Sequence, residues 1–311
     1  MIACMADVVI MTEKSELFMT APFTADDKTA GAGTAENAAK SGVAAILAKD
    51  SDEAIAKAKQ LLSVLPANNL ETAGNDYYME NDAAVSADLK GIELISSVAD
   101  KESVIELYKQ FGTSAVTAIG SLNWRTAGFV ATNNGAKLTA EDSAKIARFV
   151  TLCDAYSIPV VTFVDSEGFE KSSAAELAGS IRDSAKLAQA YASATTAKIA
   201  VVTGKAYGSA YVALASTAAG SDFTFAWEGA VIAPTTPEAA VVFLNGVSED
   251  NAKQAQEYAD NEADAFTAAA NGYVDRVITA EDTKSALTSA IEATSSKRVV
   301  TPAKKHVNFV Y

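Results

Sequence analysis

The sequence contains one histidine, two cysteines and two tryptophans in 311 residues, and each scarcity narrows the chemistry open to it. A Ser-His-Asp site, a histidine metal cluster or a histidine general base would all have to use His306, in a charged stretch near the C-terminus. The two cysteines, Cys4 and Cys153, allow at most one bridge; Cys153 falls on the apolar face of an expected helix, where a small buried thiol is the ordinary reading, so no disulfide is expected. No apolar run approaches the roughly 20 residues that span a bilayer. The opening Met1-Ile2-Ala3-Cys4-Met5-Ala6 lacks the charged and apolar regions of a secretory signal. A soluble, cytoplasmic protein without direct membrane insertion is the expectation. Basic residues are outnumbered, 25 against 39 acidic, and the net charge of -14 argues against a nucleic-acid surface, because the lysines and arginines do not cluster and Lys304-Lys305 is too short to act as a patch. What is present is apolar residue: 49% of the chain, enough for one large core or two smaller ones.

Two distant segments read alike. Ala38-Ala39-Lys40-Ser41-Gly42-Val43 leads into an apolar stretch and then a helix over 50–65, while Ala268-Ala269-Ala270-Asn271-Gly272-Tyr273-Val274 leads into 276–278 and a helix over 279–293. In both, a helix ends at glycine, a strand follows and a capped helix begins; Asp50 stands three before Glu53, as in a capping box. Ala54, Ile55, Ala58, Leu61, Leu62 and Leu65 mark one helical face. Upstream, Ala6-Asp7-Val8-Val9-Ile10 resembles Ser221-Asp222-Phe223-Thr224-Phe225. Asp222 lies 215 residues beyond Asp7 and Gly272 lies 230 beyond Gly42, so the copies agree apart from loop length. The chain therefore reads as one complete copy, 91–311, preceded by the last part of another, 1–70, with a polar, weakly periodic linker over 71–90. Val8, Val9, Ile10, Leu17, Phe18 and Met19 of the partial copy are expected to be exposed, for want of neighbouring strands, and to be covered by oligomerisation.

The complete copy alternates strands and helices, the pattern of an α/β fold. Strands are expected at 115–121 and 126–131 around a Leu122-Asn123 turn, at 160–164 after Pro159, and at 198–203. Thr139 caps a helix whose apolar positions are Ile146, Phe149, Val150 and Cys153; Ser172 or Ser173 caps one running to about 195; Pro237 opens one over 238–244. Trp124 and Trp227 read as packing residues.

Three loops stand where a strand hands over to a helix: Asp165-Ser166-Glu167-Gly168-Phe169, then Gly204-Lys205-Ala206-Tyr207-Gly208-Ser209-Ala210-Tyr211, then Thr235-Thr236-Pro237-Glu238. In the second, Gly208 lets the backbone turn tightly and leaves the N–H groups of Ser209 and Ala210 at a helix start, where they can hold an oxyanion without a titratable side chain. Gly208, Ser209 and Ala210 are the candidate catalytic residues; Gly168, Phe169, Tyr207, Thr235 and Glu238 are the candidate cofactor-binding residues. Lys205 lacks the spacing of a phosphate-binding loop, and Ser209 as a hydrolase nucleophile would depend on His306. Asp165 suits capping better than catalysis. No metal site is expected.

The run 144–165, from Ala144-Lys145-Ile146 through Ser157-Ile158-Pro159 to Val164-Asp165, followed by Gly168-Phe169, resembles a characteristic stretch of the biotin-dependent acyl-CoA carboxyltransferases, the β subunits of propionyl-CoA and acetyl-CoA carboxylases and the α subunit of methylmalonyl-CoA decarboxylase. Ala185 to Ala192, the Gly204 to Tyr211 turn, Ala226-Trp227, Gly272-Tyr273-Val274-Asp275 and Lys304-Lys305-His306-Val307-Asn308 follow in that family's order, and Leu61 to Asn69 resembles the segment joining its two halves. The resemblance implies a crotonase-like spiral of βαβ units. It implies transfer of a carboxyl group between biotin and a short acyl-CoA: carboxybiotin releases CO₂, the biotin anion takes the α-carbon proton, and the enolate captures CO₂. One backbone oxyanion hole per half is implied, and the hole for the biotin ureido oxygen maps to Ser209 and Ala210, shaped by Gly208. No Met-Lys-Met attachment site occurs, so biotin would come on a separate carrier protein or domain, with acyl-CoA as substrate and a homo-oligomer as the assembly.

Three departures stand out. The family's Gly-Gly-Ala is Gly208-Ser209-Ala210 here, which preserves a backbone donor only if position 209 does not demand positive φ. The loop after Asp165 lacks the family's proline and second glycine, and Pro234-Thr235-Thr236-Pro237-Glu238 replaces a small, glycine-containing segment. The counterpart of Gly208 in the first copy, 215 residues earlier, falls before Met1. The alternative expectation is therefore a truncated, catalytically silent or scaffold subunit.

Overall fold

The computed structural model describes residues 1–21, 31–69, 71, 79–135 and 137–300. His306, the Lys304 to Asn308 signature and most of the start of the expected linker lie outside them. A small first unit contains β1 (Ile10–Thr12), α1 (Ala35–Lys40), β2 (Ile46–Ala48) and α2 (Ser51–Val64). It is followed by α3 (Gly91–Val98), β3 (Ile105–Leu107), β4 (Val116–Leu122), β5 (Arg125–Ala131), α4 (Ala140–Ala155), β6 (Val160–Ser166), α5 (Ser173–Ala178), α6 (Ser180–Ser193), β7 (Lys198–Tyr207) and α7 (Gly208–Leu214). The last part holds β8 (Phe223–Trp227), β9 (Val231–Ala233), α8 (Pro237–Asn245), α9 (Asn251–Asn261), α10 (Ala265–Ala270), β10 (Arg276–Ile278) and α11 (Thr283–Ala293).

The main sheet runs β10-β8-β7-β6-β5-β4-β3, with β9 paired to the far end of β7. From β5 to β10 the neighbours are parallel, whereas β3, β4 and β5 form an antiparallel edge. Alternation divides each central strand between two cores. Val160 and Val164 of β6 and Ala200, Val202 and Ala206 of β7 face one cluster with Ile146, Phe149 and Leu187. Val161 and Phe163, with Ile199 and Val201, face the other, with Leu94, Ile95, Leu287 and Ile291. Burial on both faces explains why these strands are continuous apolar runs. Thr139 closes the N-terminus of α4 in a reciprocal capping box with Asp142, and Ile146, Phe149, Val150 and Cys153 are fully buried. Both cysteines are free, Cys4 exposed and Cys153 buried, where burial pushes its thiol up.

The internal repeat is present in register. Ile10 pairs with Ile46 in β1–β2 and Phe225 with Arg276 in β8–β10, the same steps of 215 and 230 residues. The isolated bridge Glu16 to Thr34 has its counterpart in Val231 to Asp264, at the same steps. Thr34 and Asp264 each cap the helix that follows, α1 and α10. The copies differ in neighbours: β8 has β7 on its other side, while β1 pairs with β2 alone among the described residues.

The expected exposure of the first unit is largely corrected. Val8, Val9, Ile10, Leu17 and Phe18 are half-buried, and only Met19 stands open at 95%. Val9 and Leu17 pack on Met11, Ala35, Ala38 and Ala44, while Val8 and Ile10 pack against the large core. On α2, Leu61 and Val64 are buried but Ile55 and Leu62 face outward, so the apolar face is narrower than the pattern suggested. The expected helix from Ser172 to about 195 is two helices, broken at Gly179, whose φ of +83° ends α5 with a left-handed residue. The helix expected from Thr279 starts at Thr283, because the Thr279 hydroxyl accepts the Asp282 N–H in a turn ahead of it. Trp227 is a packing residue, its indole N–H donating to Thr283 Oγ1 at 2.8 Å, but Trp124 is 57% exposed on the β4–β5 turn. That turn holds Asn123 and Trp124 at positive φ, with both N–H groups donating to the Asp100 carboxylate.

Lys145 is buried on α4 and donates to the carbonyls of Gly112 and Ala115 at 3.3 and 2.7 Å. Burial lowers its ammonium from 10.5 to about 8, opposed by the charges of Asp142 and Glu106. Between those values the unfolded chain binds more protons than the folded one, so this group makes stability rise with pH across that window. Lys145→Met should lose this rise. Urea denaturation of both proteins at either end of the window checks it; an equal rise in both would contradict the assignment.

Candidate active site

The site is built where β6 and β7 run past their regular partners. The strand expected to end at Thr203 continues to Tyr207, because β9 pairs in parallel with Lys205, Ala206 and Tyr207. On the other side, the β6–β7 register shifts between Val164 and Ser166, where Asp165 sits. Its N–H donates to Thr132 Oγ1 at 3.0 Å and its Oδ1 accepts the Lys205 N–H at 2.8 Å. Gly204 permits this approach, since a Cβ there would lie 2.5 Å from Asp165 Cγ. Asp165 is thus a brace across two strands.

Glu167 and Lys205 form an ion pair of 2.7 Å beside the brace. Their hydrogen bond, ahead of all other effects, lowers the Glu167 carboxyl and raises the Lys205 ammonium. Both side chains meet solvent, and such pairs contribute about 0–1 kcal/mol, so the pair orients the loop more than it stabilises the fold. Ser166 Oγ accepts the Gly168 N–H and donates to the Gly168 carbonyl. Gly168 has φ +106°, and its carbonyl also accepts the Leu138 N–H at 3.0 Å, which ties Phe169 against Leu138.

Opposite this loop, Gly208 begins α7 at φ +54°, and a Cβ there would lie 2.9 Å from the Pro234 carbonyl oxygen. Ser209 is absent from the positive-φ residues, so serine fits where the resemblance expected a second glycine. Tyr207 is the N-cap and no side chain caps the helix. The N–H groups of Gly208, Ser209 and Ala210 belong to the first turn, which has no partner four residues back in the helix. They are donors of fixed direction at the mouth of a cleft of about 540 Å³ lined by Gly168, Phe169, Tyr207, Gly208, Ser209 and Thr235. Six of the eight candidate residues therefore meet in one place. Ala210 is fully buried and can contribute only its backbone. Glu238 does not line the cleft; it is exposed on the first turn of α8, capped by Thr236. Tyr207 is held above the ordinary tyrosine range, first by burial, with Glu238 among the charges that act on it. Ser209 makes no side-chain hydrogen bond with a base among the described residues, and His306, on which the serine-nucleophile reading depended, lies outside them.

Sequence reasoning noted Pro234 only as a departure from the family and missed that its carbonyl shapes the Gly208 turn from 26 positions away, a distance over which periodicity carries no signal. It also missed the α6 wall of Ser180, Ser184 and Ala188, although small residues four apart on one helix face were there to be read. Tyr211 fastens α7 from behind: its hydroxyl donates to the Tyr273 carbonyl at 2.6 Å, and burial pushes it up to about 12.

An uncapped helix start after a parallel strand, facing a largely apolar cleft, can hold an oxyanion by backbone donors. Residues 2–309 match the model of the carboxyl transferase domain, and the chain belongs to that family. It is 35% identical to the methylmalonyl-CoA carboxyltransferase 12S subunit of Propionibacterium freudenreichii subsp. shermanii over 98% of its own length and 64% of that relative's. It is 33% identical to the methylmalonyl-CoA decarboxylase subunit alpha of Veillonella parvula, covering 98% of this chain and again 64% of the relative. Among solved structures, it matches a transcarboxylase 12S hexamer crystallised with methylmalonyl-coenzyme A and methylmalonic acid, with a TM-score of 0.89 at 34% identity over 99% of this chain and 65% of that one. The fold is crotonase-like, as the resemblance implied. The chain thus spans slightly less than two thirds of these relatives.

Gly208→Ala should cost about 1–3 kcal/mol through positive φ and the Pro234 contact, whereas Ser209→Gly should change stability by less than about 1 kcal/mol. Thermal melts of the two variants decide this; equal melting points would show that the turn is not strained.

Proposed function

We propose that this chain acts as a carboxyltransferase component, moving a carboxyl group between biotin and a short acyl-CoA of the propionyl-CoA/methylmalonyl-CoA type. The observation that carries the reading is the uncapped first turn of α7 opening into the 540 Å³ cleft. Its neutral N–H donors, flanked by Phe169, Ile181 and Ala188, fit an uncharged ureido ring whose oxygen gains charge when the ring nitrogen gives up its carboxyl group. Ser209 and Ala210 would supply the donors, Gly208 the turn, and Gly168, Phe169, Tyr207 and Thr235 the walls, with Glu238 at the outer rim. Biotin would arrive on a separate carrier protein or domain, and acyl-CoA would be the second substrate.

On this reading, 1–70 is part of an N-terminal carboxyltransferase domain, 71–90 a linker, and 91–311 the biotin-side domain. The described part of the linker is anchored: Asn81 Nδ2 donates to the carbonyls of Ser96 and Ala99 at the end of α3, and Lys284 donates to the Asn81 carbonyl. A homo-oligomer is the proposed assembly. No helix among the described residues is long and apolar enough to cross a membrane, and the proposed location is the cytoplasm.

Carboxyl exchange between methylmalonyl-CoA and free biotin tests the proposal, with Ser209→Ala keeping the backbone donor and Ser209→Pro removing it at a position where a first-turn proline is tolerated. The alanine variant should keep activity and the proline variant lose about 10²-fold or more, with circular dichroism unchanged in both. Exchange that survives the proline change would remove this turn from the chemistry.

A further inference from the structure

A second concavity, of about 360 Å³, lies at the opposite end of the sheet, where β5, β6 and β7 begin. Arg125, Ser157, Ser295, Lys297 and Arg298 line it, together with Glu71. Lys297 is neutralised, its Nζ 2.8 Å from Asp222 Oδ2 and also donating to the Thr196 carbonyl. Arg298 spends one Nη1–H on the Lys297 carbonyl at 2.7 Å and has no carboxylate partner among the described residues. Arg125 makes neither an ion pair nor a side-chain hydrogen bond with any described residue, and the hydroxyls of Ser157 and Ser295 are likewise uncommitted. The one carboxylate in the lining, Glu71, takes the Asn68 amide at 2.8 Å. Two guanidinium groups without carboxylate partners and two uncommitted hydroxyls thus line one cavity.

We infer that this cavity is an anion site for a phosphoryl-bearing small molecule, separate from the cleft at α7. A guanidinium presents paired N–H donors that match two phosphate oxygens, and serine hydroxyls add donors without charge. The volume exceeds what one phosphate fills and suits a diphosphate. The diphosphate can be free or part of a nucleotide, and both present the same oxygens to Arg125 and Arg298.

Isothermal titration with inorganic phosphate, pyrophosphate and ADP tests this, on the unaltered chain, on Arg125→Gln, on Arg298→Gln, and on Lys253→Gln as a control from a distant exposed helix. Pyrophosphate should bind at one site per chain. Each arginine variant should weaken it about tenfold, a loss of about 1.4 kcal/mol. The control should bind as the unaltered chain does, and added salt should weaken binding throughout. ADP binding far more tightly than pyrophosphate would identify the source as a nucleotide, and equal affinities a free diphosphate. Absence of saturable binding by all three ligands, an unchanged affinity in both arginine variants, or an equal loss in the control would each overturn the assignment.

Discussion

The brace between β6 and β7 is the constraint on which the site depends. Two parallel strands cannot continue in simple register past Val164, and the Asp165 carboxylate replaces the interrupted pairing by taking the Lys205 N–H. This holds β7 extended for the residues that β9 then pairs, and it delivers Gly208 beside Pro234 rather than several residues earlier in the chain. Asp165 is thereby committed to structure. On the proposed reading the chemistry falls to backbone amides, which suits a chain with a single histidine.

The repeat shows how much of this arrangement is generic. The two-strand, two-helix ending is built the same way in both copies, down to paired residues, bridge and cap. Only the second copy has β7 and α7 in place against it among the described residues. Both endings pack into the large core, the first through Ala45, Ile46, Leu61 and Val64 and the second through Ala226, Ala265, Ala268 and Val274, and Thr126 donates to the Val64 carbonyl at 2.6 Å.

Buried lysines serve the frame in a consistent way. Lys145 holds the carbonyls of Gly112 and Ala115, and Lys198 takes those of Tyr191 and Ala194 at the end of α6, at 2.6 and 2.7 Å. Both ammonium groups are lowered chiefly by burial. For Lys198 the donors meet the negative end of the α6 dipole, where unpaired carbonyls need partners.

Local signals made much of the fold legible. Thr139, Ser172 and Pro237 mark helix starts because a cap depends on residues within one turn, and the two-fold burial of β6 and β7 is written in unbroken apolar runs. The repeat was readable because backbone register preserves spacing. The places where the reading failed are those where a distant partner outvotes a local pattern: β7 lengthened by β9, Ile55 and Leu62 left outside, and Val8 to Ile10 covered by a neighbouring core. The sequence by itself determined the α/β class, the family, the repeat and the glycine turn, all of which rest on short-range conformational preference or on order along the chain. Tertiary structure alone decided that Gly168, Phe169, Tyr207, Gly208, Ser209 and Thr235 share one cleft and that Glu238 and the Ala210 side chain do not, because which loops meet depends on strand order and register across the sheet.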